Sequence, residues 1–599
     1  MENFEKYLKA PSPVSSTVVE RVNMTITMVT GNNTSEAETP LLNDVVRSSV
    51  GFNGFPANRS KSGCWKSASF IIGVEVAERF AYYGISSNLI SYLTGPLGQS
   101  TATAAENVNA WNGAAMLLPL LGAFIADSFL GRYRTIIIAS LLYILALGFL
   151  SLSAALHSFN SSDCKNDTSN SACSPPLFEV MLFFFSLYLV AFAQGGHKPC
   201  VQAFGADQID EEDEKECKAK SSFFNWWYFS MNGGILVALL VLNYIQENLS
   251  WELGFGIPCI VMCFALIIFL LGSMTYRFRI NSNERNPFVR ISQVFVKAAR
   301  NWQVTAPTVI SIDDEAIQIL PHEDSKFKFL DKALLAPYSS EENTNACTLE
   351  DIKDAKAILR LVPIWSTCLG YAIVFSQAST LFTKQGATMD RYITPTFQIP
   401  AASLQSLISV SIVSFIPIYD RILVPISRAI TKKSSGISML QRIGFGIFLS
   451  FISMVIAALV EIKRLTTATK YGLVDKPEAM IPMSVWWLAP QYLLFGIADV
   501  FTMVGLQEFF YDQVPNELKS IGLGLYLSIF GTGSFLSSFL ISVIEKGTSG
   551  HGRDSWFSNN LNRAHLDYFY WLLAGLTAVS MATYVYSAKS YIYNKKGNV

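Results

Sequence analysis

The chain contains the stretch ASFIIGVEVAERFAYYG at residues 68–84, a long apolar run that is interrupted by Glu75, Glu78 and Arg79. These three residues stand at positions i, i+3 and i+4, so a helix places them on one face. A charge in the hydrocarbon core of a bilayer costs at least about 2.5 kcal/mol on insertion scales. The stretch therefore predicts a membrane-spanning helix whose charged face is turned toward other helices and away from lipid.

The composition of the whole chain supports a membrane protein. Of its 599 residues, 51% are hydrophobic and only 15% are charged, whereas a soluble domain carries about 25% charged residues. The mean hydropathy of +0.32 excludes a disordered chain, a fibrous protein and an ordinary cytosolic enzyme. The net charge of -1 provides no field for nucleic acid, so the expected partners are the lipid bilayer and a small molecule.

Apolar runs follow one another along the chain, and roughly 20 apolar residues are enough for one span. We expect six helices near residues 68–93, 110–130, 134–156, 177–204, 222–245 and 253–275. We expect six more near residues 357–384, 398–420, 438–461, 484–510, 519–545 and 566–592. The sequence thus predicts an all-α multi-pass membrane protein with 12 transmembrane helices in two six-helix bundles, the layout of the major facilitator fold.

The polar segments define the expected domain organisation. Residues 1–65 are predicted to form a cytosolic disordered tail, 66–275 the N-terminal bundle, 276–355 a cytosolic central loop, 356–592 the C-terminal bundle, and 593–599 a short cytosolic tail. This orientation follows from basic residues, which are enriched in cytoplasmic loops. The loop after the second helix carries Arg132 and Arg134, whereas the loop after the ninth helix is an exception because it holds Lys463, Arg464 and Lys470.

The loop between the third and fourth helices would then face outward or into a lumen. It holds Cys164 and Cys173, and such a compartment can support a disulfide. A disulfide and two free thiols are both compatible with the sequence. The nine cysteines contain no C-x-x-C pair, so we expect neither a metal site nor a redox cofactor.

The charges of the first helix suggest a proton-binding site. The guanidinium of Arg79 stays charged, whereas Glu75 and Glu78 can each take up a proton. The proton affinity of each carboxylate depends on whether a substrate or a partner pairs with Arg79, which would couple proton binding to substrate binding. The alternative is an ion cluster that only fixes helix packing.

Two further interior charges, Lys198 in the fourth helix and Glu508 in the tenth, form a possible pair that is made and broken as the two bundles rock. Lys198 follows Gly195, Gly196 and His197, and the glycines would allow close helix approach. Lys198 could instead snorkel to an interface, and we expect His197 to be a packed helix residue. Asp499 stands nine residues before Glu508 and so points the opposite way; we expect it to make a structural hydrogen bond outside the site.

The turn after the second helix has the pattern of a gate. Asp127 ends that helix, and the basic residues Arg132 and Arg134 follow within a tight turn. A carboxylate and a basic turn in this place can lock the cytosolic side through charge–dipole contacts. Positive-inside topology alone would also explain the arginines.

Residues 75–84 match in full the E-x-x-E-R-F-x-Y-Y-G signature of proton-coupled oligopeptide transporters. FGADQ at residues 204–208, FNWWY at 224–228 and LQEFFY at 506–511 are similar to the plant branch, the nitrate/peptide transporter family. The resemblance covers about residues 65–592. The second half resembles the subfamily that includes vacuolar-membrane nitrate transporters, which makes the vacuolar membrane or the plasma membrane the expected location.

The resemblance implies an alternating-access symporter. In such a transporter Glu75, Glu78 and Arg79 would couple protons, with Arg79 also near the substrate, while Lys198 and Glu508 would bind substrate and take part in gating. Residues that would line the cavity are Tyr83, Tyr228 and Asn232.

The seventh helix departs from the family pattern. Peptide transporters of this family tend to carry acids in this helix, and the best-understood plant nitrate transporter has a histidine where this chain has Phe375. Neither group is present here, since the local sequence is AIVFSQ at residues 372–377. The remaining cavity cations, Arg79 and Lys198, favour an anion.

The sequence therefore favours a proton-coupled symporter for a small anion, either nitrate or an organic anion, with protons as the coupling ion. A proton-coupled transporter of dipeptides and tripeptides is the first alternative. A nutrient sensor that has lost transport is an alternative of another class. An enzyme is disfavoured, because the chain contains no H-x-x-H pair, nucleophile elbow or phosphate-binding loop.

Overall fold

The computed structural model of the chain describes residues 45–164, 175–210, 214–279, 287–302, 325–334, 347–431, 437–515, 518–549 and 554–591. Cys173 and the side chain of Cys164 lie outside this part of the chain, so the question of their disulfide stays open. The described residues are mainly helical, as the apolar runs predicted.

The first half consists of α1 and seven further helices up to the end of the sixth apolar run. Their bounds are α1 Cys64–Ser86, α2 Leu89–Thr94, α3 Thr101–Ile125, α4 Arg132–Cys164, α5 Leu177–Ala206, α6 Glu214–Val237, α7 Asn243–Asn248 and α8 Trp251–Leu271. A π-helical turn, Ala238–Leu242, joins α6 to α7, and a second, Ala126–Leu130, follows α3.

The second half contains the remaining helices. Their bounds are α9 Pro287–Arg300, α10 Leu349–Thr367, α11 Leu369–Phe375, α12 Leu381–Ala387, α13 Ser406–Ile418, α14 Val424–Thr431, α15 Met439–Lys470, α16 Ala489–Asp512, α17 Lys519–Thr548 and α18 Leu566–Ser590. Among the described residues, ten helical segments are long and apolar enough to cross a membrane, and the bent pair of α10 and α11 makes eleven. The helix α1 would complete the expected twelve, but its charges keep it outside this set.

The seventh span differs from the unbroken helix that was expected over residues 357–384. It begins earlier, at Leu349, where Thr348 and Asp351 form a reciprocal capping box. It then bends by 50° between α10 and α11, and a second break separates α11 from α12. The break places Phe375 at the end of a short helix, so the side chains that follow it leave the regular helical periodicity.

The segment before α1 is not a disordered tail over its whole length, which corrects the expectation for residues 1–65. Two strands, β1 (Val45–Gly51) and β2 (Pro56–Asn58), pair antiparallel, and β3 (Arg277–Arg279) after α8 pairs with the other edge of β1. Arg277 is buried and donates to Glu216 at 2.7 Å. This small sheet fastens the beginning of the first bundle to the end of α8.

The central segment also contains more structure than the loop that was expected over residues 276–355. Besides β3 it holds α9 and a 3-10 segment, Ser325–Leu334, and α10 starts before its end. Arg290 on α9 lies 2.7 Å from Asp351 on α10. The contact joins the central segment to the first turn of the seventh span.

Four short strands lie in the loops at the opposite end of the molecule, here called the outer end. They are β4 (Met389–Asp390), β5 (Tyr392–Thr394), β6 (Phe397–Gln398) and β7 (Ile481–Ser484). β4 pairs in parallel with β7, and β5 with β6 in a hairpin.

The spans pack as an N-terminal bundle (α1 to α8) and a C-terminal bundle (α10 to α18), which meet mainly along α3 and α17. Two glycines permit close helix approach, and for one of them, Gly195, the sequence predicted it. A Cβ atom on Gly531 of α17 would lie 3.1 Å from the carbonyl oxygen of Gly113 on α3. A Cβ atom on Gly195 of α5 would lie 2.8 Å from Leu118 of α3, so α5 carries His197 and Lys198 close to the bundle interface.

Arg464, which was assigned to an outer loop, lies inside α15 and is completely buried. Lys463 beside it places its Nζ atom 3.1 Å from the ring centroid of Trp487. These basic residues therefore have partners within the protein, and the exception to the orientation rule reflects packing rather than a basic cytosolic loop.

Candidate functional site

The three charges of α1 form a buried cluster. Arg79 Nε donates to Glu75 Oε1 at 2.8 Å and lies 3.1 Å from Glu78 Oε2. All three side chains are at most 6% exposed. The sequence spacing thus produces the expected constellation, with one guanidinium between two carboxylates.

The carboxylates of this cluster are incompletely satisfied. Glu75 Oε2 is buried and has no hydrogen-bond partner among the described residues, while the buried carboxylate of Glu78 pairs with Arg79 and interacts with the amide of Gln194 on α5. His197 of α5 approaches both acids. One of its ring nitrogens and one carboxylate oxygen of each acid all lie within 4.8 Å of one another. Sequence reasoning had treated His197 as a packed residue, and only the approach of α5 to α1 shows its position. The carboxylates are already neutralised in part by Arg79, which a bound metal ion would have to displace.

Lys198 lies beside the same cluster and is partly exposed. Its Nζ atom is 3.6 Å from the sulfur of Met116 on α3, and it interacts electrostatically with Glu78 and Glu75. The lysine therefore faces the inside of the molecule rather than an interface with headgroups. The snorkelling alternative does not fit this position.

Glu508 does not pair with Lys198 in this structure. Its carboxylate lies 3.5 Å from Arg442 of α15, and its side chain is 47% exposed. It stands one turn before the end of α16 at Asp512. The sequence had counted Glu508 among the interior charges, but its place near the helix end puts it at the inner mouth of the molecule.

Asp499 is the acid of α16 that is buried in the molecule. Its Oδ1 atom accepts a hydrogen bond from the hydroxyl of Tyr371 on α11, and it interacts electrostatically with Tyr83 of α1 across the bundle interface. The hydrogen bond agrees with the expected structural role. The interaction with Tyr83 brings Asp499 nearer to the α1 site than the sequence had suggested, although its hydrogen bond is to its own bundle.

Aromatic side chains surround the position at which the seventh helix departs from the family pattern. The ring of Phe375 lies 5.2 Å from that of Phe530 and 6.1 Å from that of Phe495, centroid to centroid. Ser376 and Ser534 share a hydrogen bond of 3.1 Å. This part of the C-terminal bundle offers rings and hydroxyl groups, with Asp499 as its acid.

Comparison with known proteins identifies the family that this constellation suggested. A family model described as the POT family matches residues 133–557. The protein NRT1/PTR FAMILY 5.10 of Arabidopsis thaliana is 64% identical over 557 residues, which cover 93% of this chain and 97% of the relative. NRT1/PTR FAMILY 5.14 of the same plant is 57% identical, with coverage of 94% and 100%.

The chain belongs to the POT family.

This membership makes it a multi-pass membrane protein and a proton-coupled transporter of the plant NRT1/PTR branch, and not an enzyme. Solved structures of the family share its fold. An auto-inhibited POT family peptide transporter gives a TM-score of 0.66 at 21% identity and covers 89% of this chain and 98% of its own. A POT family transporter in complex with 5-aminolevulinic acid gives a TM-score of 0.58 at 16% identity, with coverage of 88% and 96%. The major facilitator architecture is thereby confirmed.

The remaining POT-family positions lie on α1 and α6. Tyr83 packs edge-on against Tyr82 with ring centroids 5.4 Å apart, and Tyr82 donates to Asn112 of α3 at 3.0 Å. Asn232 is half-buried on α6. The side chain of Tyr228 lies outside the described part of α6, so its expected place in the cavity stays a prediction.

The turn after α3, at the inner end of the N-terminal bundle, contains Arg132, the basic partner in the expected gate. Arg132 Nη1 lies 2.6 Å from Asp207 Oδ2, so the basic turn after α3 is tied to the FGADQ segment at the end of α5. The side chain of Asp127 lies outside the described side chains. The contact of Arg132 with Asp207 connects two motifs that the sequence had treated separately.

At the outer end, polar contacts hold the two bundles together. Arg391 Nη1 lies 3.0 Å from Glu247 Oε2, and Gln405 Nε2 donates to the carbonyl oxygen of Ser87 at 2.9 Å. Further bridging bonds join Lys384 to Thr94, Ser403 to Leu239 and Asn559 to Thr101. With Lys198 and Glu508 unpaired to each other, this is the arrangement of a carrier that is closed on its outer side.

Proposed function

We propose that this chain is a proton-coupled symporter of a small anion, nitrate or an organic anion, that works by alternating access. Protons serve as the coupling ion and no other cofactor takes part. The proposal is supported chiefly by the charge balance around α1, where Glu75 and Glu78 stand against Arg79 and Lys198 in a buried setting.

The charge balance provides a coupling mechanism. Two carboxylates and two cations sum to zero, so the unprotonated site has no excess charge with which to hold an anion. A proton on Glu75 or Glu78 leaves a net positive charge beside the cavity, and in a low dielectric that charge attracts an anion strongly. Loss of the proton on the opposite side of the membrane removes the attraction and releases the substrate.

Gating uses the two ends of the molecule in this mechanism. The outer contacts, among them Arg391 with Glu247, open when the inner end closes. Closure of the inner end brings Lys198 toward α16, where Asp499 is its partner within the cavity. Glu508 acts at the inner mouth through Arg442, together with Asp127 and Arg132.

A peptide substrate is the second candidate, and Asp499 favours it. A peptide carries an ammonium group that needs an acid, and the seventh helix supplies none. The buried carboxylate of Asp499, held by Tyr371, lies in the C-terminal bundle next to that helix. It would accept the ammonium group in place of an acid from α11.

The deciding experiment uses the purified chain in proteoliposomes, which avoids the question of the native membrane. Nitrate, malate and a dipeptide are each supplied on the acidic side of a pH gradient. We expect nitrate or malate to accumulate. If two protons accompany each anion, nitrate should carry an inward positive current, whereas malate, which has two negative charges, should carry none. Uptake of the dipeptide alone would refute the anion proposal and support the peptide alternative.

Two variants, each with a matched control, connect this result to the site. Lys198→Ala is expected to abolish uptake, whereas the matched control Lys463→Ala, at the outer end, is expected to keep it. Phe375→His adds a hydrogen-bond donor and is expected to lower the nitrate concentration for half-maximal uptake, while Phe375→Leu is not. Uptake near the normal rate in Lys198→Ala would contradict the role of the lysine.

For the location, we propose the vacuolar membrane or the plasma membrane. A fluorescent fusion of the full chain expressed in plant cells, with markers of both membranes, tests this assignment. Fluorescence confined to another membrane would contradict it.

A further inference from the structure

The imidazole of His197 is buried beside the α1 cluster without a hydrogen-bond partner. Its exposure is 0%, and neither Nδ1 nor Nε2 has a partner among the described residues. A buried polar group that lacks its hydrogen bond costs about 1–3 kcal/mol. An unpaired histidine in this position therefore requires a partner in some state of the transport cycle.

The acids of α1 lie close to the imidazole. One ring nitrogen of His197 lies within 4.8 Å of an oxygen of Glu75 and of Glu78, and Glu75 Oε2 has no partner among the described residues. A hydrogen bond between them forms once the ring nitrogen and a carboxylate oxygen come within about 3 Å of each other. The geometry thus brings three groups that bind protons to one point.

The other groups around the imidazole limit what it can do. Besides the two acids, Arg79 of α1 acts on it electrostatically, and Tyr143 of α4 packs edge-on against it with ring centroids 6.5 Å apart. Lys198 follows it on α5. The carboxylates of Glu75 and Glu78 offset the charges of these cations, and the complete burial of the ring disfavours a charge on it, so the neutral imidazole is favoured. A neutral imidazole still has one nitrogen that accepts a hydrogen bond.

We propose that His197 is the third member of the proton-binding site and accepts the hydrogen bond of the protonated carboxyl group. When a proton from the outer solution binds to Glu78 or Glu75, the new O–H group donates to the free nitrogen of His197. When that proton leaves toward the inner side, the carboxylate returns to Arg79 and the imidazole loses its partner. The proton is the ligand throughout, and no other group changes its charge.

This inference rests on the proposed proton-coupled function and adds a residue that stabilises the protonated state. His197 is a positioning residue for the proton, so its loss changes proton affinity more than the maximal rate. Without the acceptor, a higher proton concentration is needed to load the carboxyl group. The pH of half-maximal uptake should therefore fall by about one unit, which is tenfold in proton concentration.

The test measures proton-driven nitrate uptake by proteoliposomes as a function of external pH. His197→Leu should shift the midpoint to lower pH by about one unit, and His197→Gln, whose amide oxygen is an acceptor, should fall between it and the wild type. The control His157→Leu removes a histidine that lies 3.4 Å from Glu179, outside the cluster, and should leave the midpoint unchanged. An unchanged midpoint in His197→Leu would overturn the inference.

A second measurement does not depend on the substrate. Infrared difference spectra of the purified protein between neutral and acidic pH show the C=O stretch of protonated carboxyl groups, and Glu78→Gln identifies the band of this site. His197→Leu should move that band to higher frequency, because the carboxyl group loses its acceptor. An unmoved band would overturn the inference even if nitrate is transported. A moved band would support it even if nitrate is not the substrate, in which case only the anion proposal fails.

Discussion

Two buried clusters of glutamate and arginine, one in each bundle, are built from nearly the same sequence pattern and are satisfied very differently. In α15, Glu461 and Arg464 are both 0% exposed and lie 2.6 Å apart. Arg464 also donates to Asn562 and to the carbonyl oxygen of Leu561, and Gln385 donates to Glu461 at 2.8 Å. Neither residue of the pair has an unpaired buried atom among the described residues.

The cluster of α1 lacks this completeness. One guanidinium serves two carboxylates, through a hydrogen bond to Glu75 and an ion pair with Glu78, and Glu75 Oε2 has no partner among the described residues. A buried polar network that is fully satisfied makes the structure rigid, whereas an unsatisfied one needs a functional explanation. The comparison indicates that the α15 cluster stabilises the fold and that the α1 cluster has capacity for a proton.

The largest effect on transport is expected from the α1 cluster. Glu78→Gln removes a titratable group while keeping the size of the side chain, so proton-driven accumulation should be lost completely. Exchange of substrate between two equal concentrations should persist, because it needs no net proton movement. Isotope uptake with and without a pH gradient measures both. Accumulation equal to that of the wild type would remove the functional distinction between the two clusters.

The α15 cluster should respond in the opposite way. Glu461→Ala leaves Arg464 as a buried charge without its acid, which costs about 3–5 kcal/mol. We expect a clear fall in the thermal unfolding temperature of the purified protein and a lower yield. Protein that remains folded should still couple protons, so the rate per folded molecule should stay near that of the wild type. A variant of normal stability that lost proton coupling would reverse our assignment of the two clusters.

An ion pair between the bundles provides an intermediate case. Arg391 and Glu247 are each about one-fifth exposed, so the pair is neither fully buried nor fully exposed to solvent. Arg391→Glu should weaken the outer closure and change the transport rate several-fold, without a large loss of stability. Adding Glu247→Arg should restore the rate, because the exchanged charges form the same pair. Failure of the double variant to recover would show that the contact is not electrostatic.

The smallest effect is expected at the surface. Arg563 and Asp475 form an ion pair in which the two side chains are 45% and 74% exposed, and exposed pairs contribute little because water and salt screen them. Asp475→Ala should leave both the unfolding temperature and the accumulation ratio unchanged. A marked loss of either would mean that exposure is a poor guide to the role of an ion pair in this protein.

Much of the site was accessible from the sequence because it is local. Glu75, Glu78 and Arg79 stand within one turn of the same helix, so helical periodicity alone brings them together. The apolar runs predicted the spans for a similar reason, since each must satisfy its own backbone hydrogen bonds in lipid. The glycines before Lys198 likewise indicated a close helix contact, which the structure shows between α5 and α3.

Only the tertiary structure decided which distant residues join that local cluster. His197 enters it because α5 packs against α1, and Asp499 rather than Glu508 is the buried acid of α16 because of how that helix is rotated in its bundle. The strands before α1 were missed because β1 pairs with β3, which follows the last span of its bundle. The sequence determined the composition of each helix face. The packing of the helices determined what each face meets, because side-chain contacts between spans depend on rotation and approach that no local pattern specifies.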